Sequence, residues 1–199
     1  MPNQAPALIL ASTSPYRRAL LERLRLPFAV EAPHVEEAAG PGEAAGALAL
    51  RLAQAKAQEV ARRRPGTIVI GSDQVADCDG RTLGKPLTAE NARAQLAAAT
   101  GRMVVFHTAV ALVHADGARV ERHTDRTRVR LRPLDAASIA RYVELEQPLD
   151  CAGSFRSEGL GVVLFESIET EDPTALVGLP LIWLAQALAR AGLDPLSAC

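Results

Sequence analysis

Hydrophobic and polar positions alternate between two periods along this chain, and the switches mark its elements. "ALILA" (residues 7–11) is a short apolar run closed at once by Ser-Thr-Ser-Pro, the pattern of a buried strand. Ser14 then stands as an N-cap, with Pro15 at the first helical position and Leu20, Leu21 and Leu24 as the apolar face of the helix that follows. "FAVEAP" (28–33) predicts a second strand, and "EEAAGPGEAAG" (36–46) a loop. "ALALRLAQAKAQEVARRR" (47–64) carries the helical period, with Leu48, Leu52, Ala55 and Val60 near one side. "TIVIGSD" (67–73) predicts a β-branched strand that ends in an aspartate. "LTAENARAQLAAATG" (87–101) predicts a helix capped by Thr88 and stopped by Gly101.

Two strands flank "HADGARV" (114–120), where Asp116-Gly117 is a hairpin turn signal. "LDAASIARYVELEQP" (134–148) predicts a helix opening at Asp135, "GLGVVLFESIE" (159–169) a strand, and "LPLIWLAQALARAG" (179–192) a buried closing helix. The alternation predicts an α/β protein with an antiparallel portion in its second half. With no internal repeat and no long linker, residues 1–199 read as a single domain with an ordered core over about 7–196.

Composition narrows the function. Apolar residues make up 48% of the 199 and the formal net charge is −1, so neither a disordered chain nor a general nucleic-acid coat is expected. An anionic partner must then be held locally. Cys78, Cys151 and Cys199 are odd in number and far apart, which suits a reduced, cytoplasmic chain. The opening "MPNQAPALILASTSP" lacks a signal-peptide pattern, and no run approaches the ~18 apolar residues of a membrane span. A soluble protein that binds neither membrane nor nucleic acid is expected.

The candidate chemistry starts at the first helix. A strand, a hydroxyl loop and a helix N-terminus bring unpaired N–H groups and a positive dipole end together, and phosphate suits such a place. Arg17 and Arg18 lie in the first turn, where the dipole disfavours cations, so an anion is expected beside them. Ser14 as a plain cap and the arginines as a solvated face is the other reading. No P-loop signature occurs. Asp73, at the end of its apolar strand, sits where α/β proteins place ligands, or else forms a simple Asx turn. Lys56 lies in an alanine-rich helix, Lys85 between a glycine and a proline, and Glu36 and Glu37 precede the flexible loop. Each has an ordinary solvated reading, but together they offer cations for phosphates and carboxylates for Mg²⁺. His34, His107, His114 and His123 show no i,i+4 pair and read as core or hairpin residues, and Arg62–Arg64 as a solvated helix end.

These pieces stand in a recognisable order. "LASTSPYRRALL", "VEE", "LRLAQAKAQEVA", "IVIGSDQV", "GKPLTAENARAQL", "CAGSFRSEG" and "LVGLPL" follow one another along the chain. From residue 8 nearly to its end the sequence resembles the Maf family of nucleoside triphosphate pyrophosphatases. Tyr16, Gln74 and Glu158 match the bacterial branch that hydrolyses 7-methyl-GTP, where the dTTP- and UTP-directed branch has arginine, threonine and glutamine. The acidic pair reads Glu36-Glu37 where the family usually has Asp-Glu.

The resemblance implies a mixed-sheet α/β fold with two lobes around a deep cleft, usually a homodimer, and release of pyrophosphate with a divalent metal cation (Mg²⁺ or Mn²⁺). It implies Asp73 as proton acceptor, Glu37 and Asp73 toward the metal, and Ser12, Ser14, Arg17, Lys56 and Lys85 on the phosphates. Tyr16, Gln74 and Glu158 would set specificity. The chemistry agrees: N7 methylation makes the purine cationic, which favours an aromatic face such as Tyr16. Guanine's N1–H and N2–H₂ suit a carboxylate such as Glu158. A non-catalytic nucleotide sensor in cell-division control is the alternative, and it has no need of a base.

Overall fold

A computed structural model of the chain describes residues 7–197; Cys199 lies outside them. Among these residues no helix is long and apolar enough to cross a membrane.

The elements are β1 (Leu8–Ala11), α1 (Pro15–Glu22), β2 (Phe28–Glu31), α2 (Ala45–Arg63), β3 (Ile68–Cys78), β4 (Arg81–Leu83), α3 (Ala89–Ala99), β5 (Met103–Val113), β6 (Val120–Leu131), α4 (Ala136–Glu146), β7 (Phe165–Glu169) and α5 (Leu181–Arg190). The strands form one sheet in the order β2-β1-β3-β5-β6-β7, with β4 paired to β3. β2, β1 and the start of β3 run parallel; from β3 onward the pairing is antiparallel. The fold is mixed α/β, as the alternation predicts.

The helix starts behave as their caps dictate. Ser14, Thr88 and Asp135 each accept from the backbone N–H three residues on, at Arg17, Asn91 and Ser138. Gly117 takes the left-handed conformation that the hairpin at Asp116 requires.

The sheet is covered unequally. α2 lies on one face, packing Leu48, Leu52, Ala53 and Val60 against Ile9, Val69, Val75 and Ala111. On the other face α1 and α5 cover the β1 end through Leu20, Leu21, Leu184 and Leu188. α3 and α4 cover the opposite end around Leu96, Phe106, Tyr142 and Val143. These two groups form two lobes with a gap between them.

Four expectations are corrected. Asp73 does not end its strand: β3 continues through Gln74 to Cys78, because β5 pairs with it along its whole outer length. Leu160–Leu164 coil into a 3₁₀ turn, and only Phe165–Glu169 is strand. Arg63 and Arg64 are not merely solvated, because both pair with Glu31 and so tie α2 to the edge strand β2. His34 lies in an exposed loop near Glu59, neither core nor hairpin.

One glycine decides how near α2 comes to β3. A Cβ on Gly71 would stand 2.2 Å from the Ala53 carbonyl oxygen and 2.6 Å from the Ala57 nitrogen. Both are backbone atoms with no side-chain slack. Gly71→Ala therefore forces helix and strand apart, at a cost of about 3 kcal/mol. A thermal melt within a degree or two of the parent would show that this approach is not needed.

Candidate active site

The cleft opens along one bare stretch of strand. β1 pairs with β3 only as far as Gly71, and β4 rejoins it at Ala76. Residues 72–75 thus have no strand partner on that side among the described residues, and their edge forms part of the wall of a cleft of about 680 Å³. Ser12, Ser14, Tyr16, Arg17, Glu37, Lys56, Asp73, Gln74, Lys85 and Glu158, the full set of predicted site residues, all line it. Glu36 is exposed and outside the lining.

The charged centre is built by α2 and β3. Because Gly71 lets them touch, the buried Lys56 ammonium reaches Asp73 Oδ1 at 2.6 Å and Glu37 Oε1 at 2.6 Å. One cation is shared by two carboxylates. Burial works to raise the Glu37 carboxyl, but the hydrogen bond and charge of Lys56, with Lys85 and Arg17 further off, hold it below its usual value. Arg17 is aimed by a single bond, Nε donating to the Gly178 carbonyl at 3.0 Å. Burial lowers its pKa while Asp73 and Glu37 oppose the shift; a guanidinium stays charged at neutral pH. Ser72 Oγ donates to the same carbonyl at 3.0 Å, so the loop before α5 is fixed on β3.

Ser14 accepts from the Arg17 N–H, and its own hydroxyl proton is left to donate. Ser12 is buried and accepts from the Ser14 N–H at 3.1 Å. Arg18 turns away and pairs with Glu22 on the surface.

Gln74 lines the cleft and is also tied to the neighbouring loop. On the face of β3 opposite Asp73, its amide nitrogen donates to Thr108 Oγ1 and to the Ala175 and Leu176 carbonyls, at 2.9–3.1 Å. It holds the 174–178 loop, and only its carbonyl oxygen is left for a ligand.

At the other end of the cleft Tyr16 reaches across to the α4 lobe. Its hydroxyl donates to Asp150 Oδ2 at 3.2 Å, and the Arg156 guanidinium lies 5.5 Å from its ring centroid. Burial, then Cys151 and Asp150, push its phenol up to about 12, so it stays a neutral donor. Arg156 is anchored by Glu146 at 2.8 Å. Glu158 is exposed at the rim. Asp150 and Arg156 escape sequence reasoning because their partner Tyr16 is more than a hundred residues away; the only local signal is Arg156's place inside "CAGSFRSEG".

None of the four histidines lines the cleft. His114 pairs with Glu121 at 2.8 Å and His123 stacks on Trp183.

Residues 7–191 match the family model described as Maf-like protein. The chain belongs to the Maf family. A Maf relative from Xanthomonas axonopodis pv. citri, named 7-methyl-GTP pyrophosphatase, is 58% identical over 94% of this chain and 97% of its own. Another of the same name, from Bordetella avium, is 54% identical over 98% of both chains. Among solved structures, a nucleoside-triphosphatase / dITP/XTP pyrophosphatase from Mycobacterium abscessus overlays with a TM-score of 0.42 at 22% identity, covering 64% of this chain and 75% of that one.

Proposed function

We propose that this protein hydrolyses 7-methyl-GTP to 7-methyl-GMP and pyrophosphate. The observation that carries the reading is the order of charge along the cleft. Arg17, Lys56 and Lys85, the cations that act on Glu37, line the cleft with two serine hydroxyls, while Tyr16 stands with Asp150 and Arg156 in another part of it. A triphosphate suits the first group and a cationic purine the second. The Xanthomonas and Bordetella relatives bear the name of that activity over nearly their whole length, which favours an enzyme over a nucleotide sensor.

In this reading Arg17, Lys56 and Lys85 neutralise the triphosphate, and Ser12 and Ser14 donate to its oxygens. Asp73 accepts the proton of the water that attacks the α-phosphorus in line with departing pyrophosphate. In the free protein its Oδ1 is on Lys56; with an ion bound, one of its two oxygens would serve the metal and the other take that proton. Each of Glu37 and Asp73 meets Lys56 through one oxygen, and the other has no hydrogen-bond partner among the described residues. Among the described residues no three potential ligands cluster, so a divalent ion here, Mg²⁺ or Mn²⁺, would be held by these two carboxylates together with water and phosphate oxygens. Such an ion supplies charge neutralisation and a more acidic water.

Pyrophosphate release from a nucleotide panel, with and without EDTA, tests the reaction; release of orthophosphate instead would overturn it. Selectivity is tested separately. Glu158→Gln is expected to cut the preference for 7-methyl-GTP over UTP and dTTP by about tenfold or more, since a bidentate base contact discriminates by ~1–3 kcal/mol. Tyr16→Ala should hurt 7-methyl-GTP more than GTP. Equal losses in kcat/KM on all four nucleotides would reduce both residues to a supporting role.

A further inference from the structure

Tyr16 is held by groups that the reaction itself does not use. It rises from α1, in one lobe, while Asp150 and Arg156 follow α4, in the other. Asp150 stands at the hydroxyl edge of the ring, accepts from the phenol, and lies 3.5 Å from Arg156 Nη2. It is more than half exposed and opens onto the cleft. The planar Arg156 guanidinium faces the ring itself. An aromatic face that already carries a planar cation, with a carboxylate beside it, is a receptor for a delocalised positive charge.

The charge balance points the same way. Of the cleft-lining residues that follow α4, the charged ones are Asp150, Arg156 and Glu158, and Arg156 is further neutralised from behind by Glu146. A nucleotide with a neutral base brings only negative charge and is repelled by surplus carboxylate here. A purine alkylated at N7 brings a positive ring.

We propose that Asp150 is the counter-ion of the substrate's cationic base, and so a specificity-determining residue, with Arg156 holding that cation's place on Tyr16 in the free protein. The inference rests on the 7-methyl-GTP reading above and adds a residue to it. It separates methylated from plain guanine, a distinction that hydrogen bonds to N1–H and N2–H₂ do not make.

The test begins with wild-type kcat/KM for 7-methyl-GTP and GTP. A wild-type enzyme with no preference for the methylated nucleotide would defeat the substrate reading. Where the preference exists, Asp150→Asn keeps an oxygen for the Tyr16 hydroxyl and removes only the charge. The ratio of the two kcat/KM values is then expected to fall by about tenfold. Salt gives a readout that a merely structural role would not move: raising NaCl to about 0.5 M erodes the wild-type ratio but not that of the variant. Asp150→Glu should restore most of the preference. A ratio unchanged in Asp150→Asn, or equal losses on both nucleotides, would overturn the proposal while leaving the enzyme's substrate intact.

Discussion

Asp73→Asn is expected to lower turnover on 7-methyl-GTP by ~10²–10⁴-fold, the range that a positioned general base supplies. The substitution is nearly isosteric, so the nearly buried position is still filled. Lys56 retains an oxygen to donate to and keeps Glu37 as its second carboxylate. What disappears is the group that accepts a proton. Single-turnover measurements of pyrophosphate release, beside a melting curve showing a folded variant, decide it. Wild-type turnover would remove Asp73 from the proton transfer altogether.

Lys56→Met is expected to damage both stability and activity. The ammonium is buried and serves two carboxylates, one of them the nearly buried Asp73. Removing one partner of a buried pair leaves an uncompensated charge, at a cost of about 3 kcal/mol. In a domain of this size that lowers the melting temperature by roughly 6–12 °C. The Lys56→Met, Asp73→Asn double variant should recover part of the loss, because the orphaned charge has gone.

The pH dependence follows from Glu37. Its folded carboxyl sits below the ordinary value, so its contribution to stability is present above that value and is lost only as the pH falls through the lowered one. Without Lys56 the groups that hold this carboxyl low are mostly gone, so its share of the loss in acid should shrink and the acid limb should flatten. A double variant no more stable than Lys56→Met alone, with an unmoved acid limb, would contradict the shared-cation account.

The sequence makes local features legible and hides those that depend on distant partners. Ser14-Pro15, Thr88 and Asp135 are read correctly because a cap acts within three residues of itself. The end of β3 is misplaced because apolar period alone says nothing about β5 running alongside it. The strand β4 is too short, at three residues, to show any period. Arg63 and Arg64 look solvated because Glu31 is more than thirty positions away. The candidate site residues fall in ordered motifs, and every one lines the cleft. Gln74 carries a feature that only the fold shows: its amide nitrogen is committed to the 174–178 loop.

β3, β5 and β6 pair with one another along eleven- and twelve-residue strands that pass beneath both lobes. Swinging the lobes apart would have to bend all three together, against a continuous antiparallel ladder. The jaws of the cleft are therefore mechanically stiff where they join, and compliance is confined to side chains and loops at the mouth. For charge-driven chemistry this is an advantage of a specific kind. The backbone that carries the charged groups then needs little reorganisation when charge moves in the transition state, and so less of the barrier is spent on turning the surroundings.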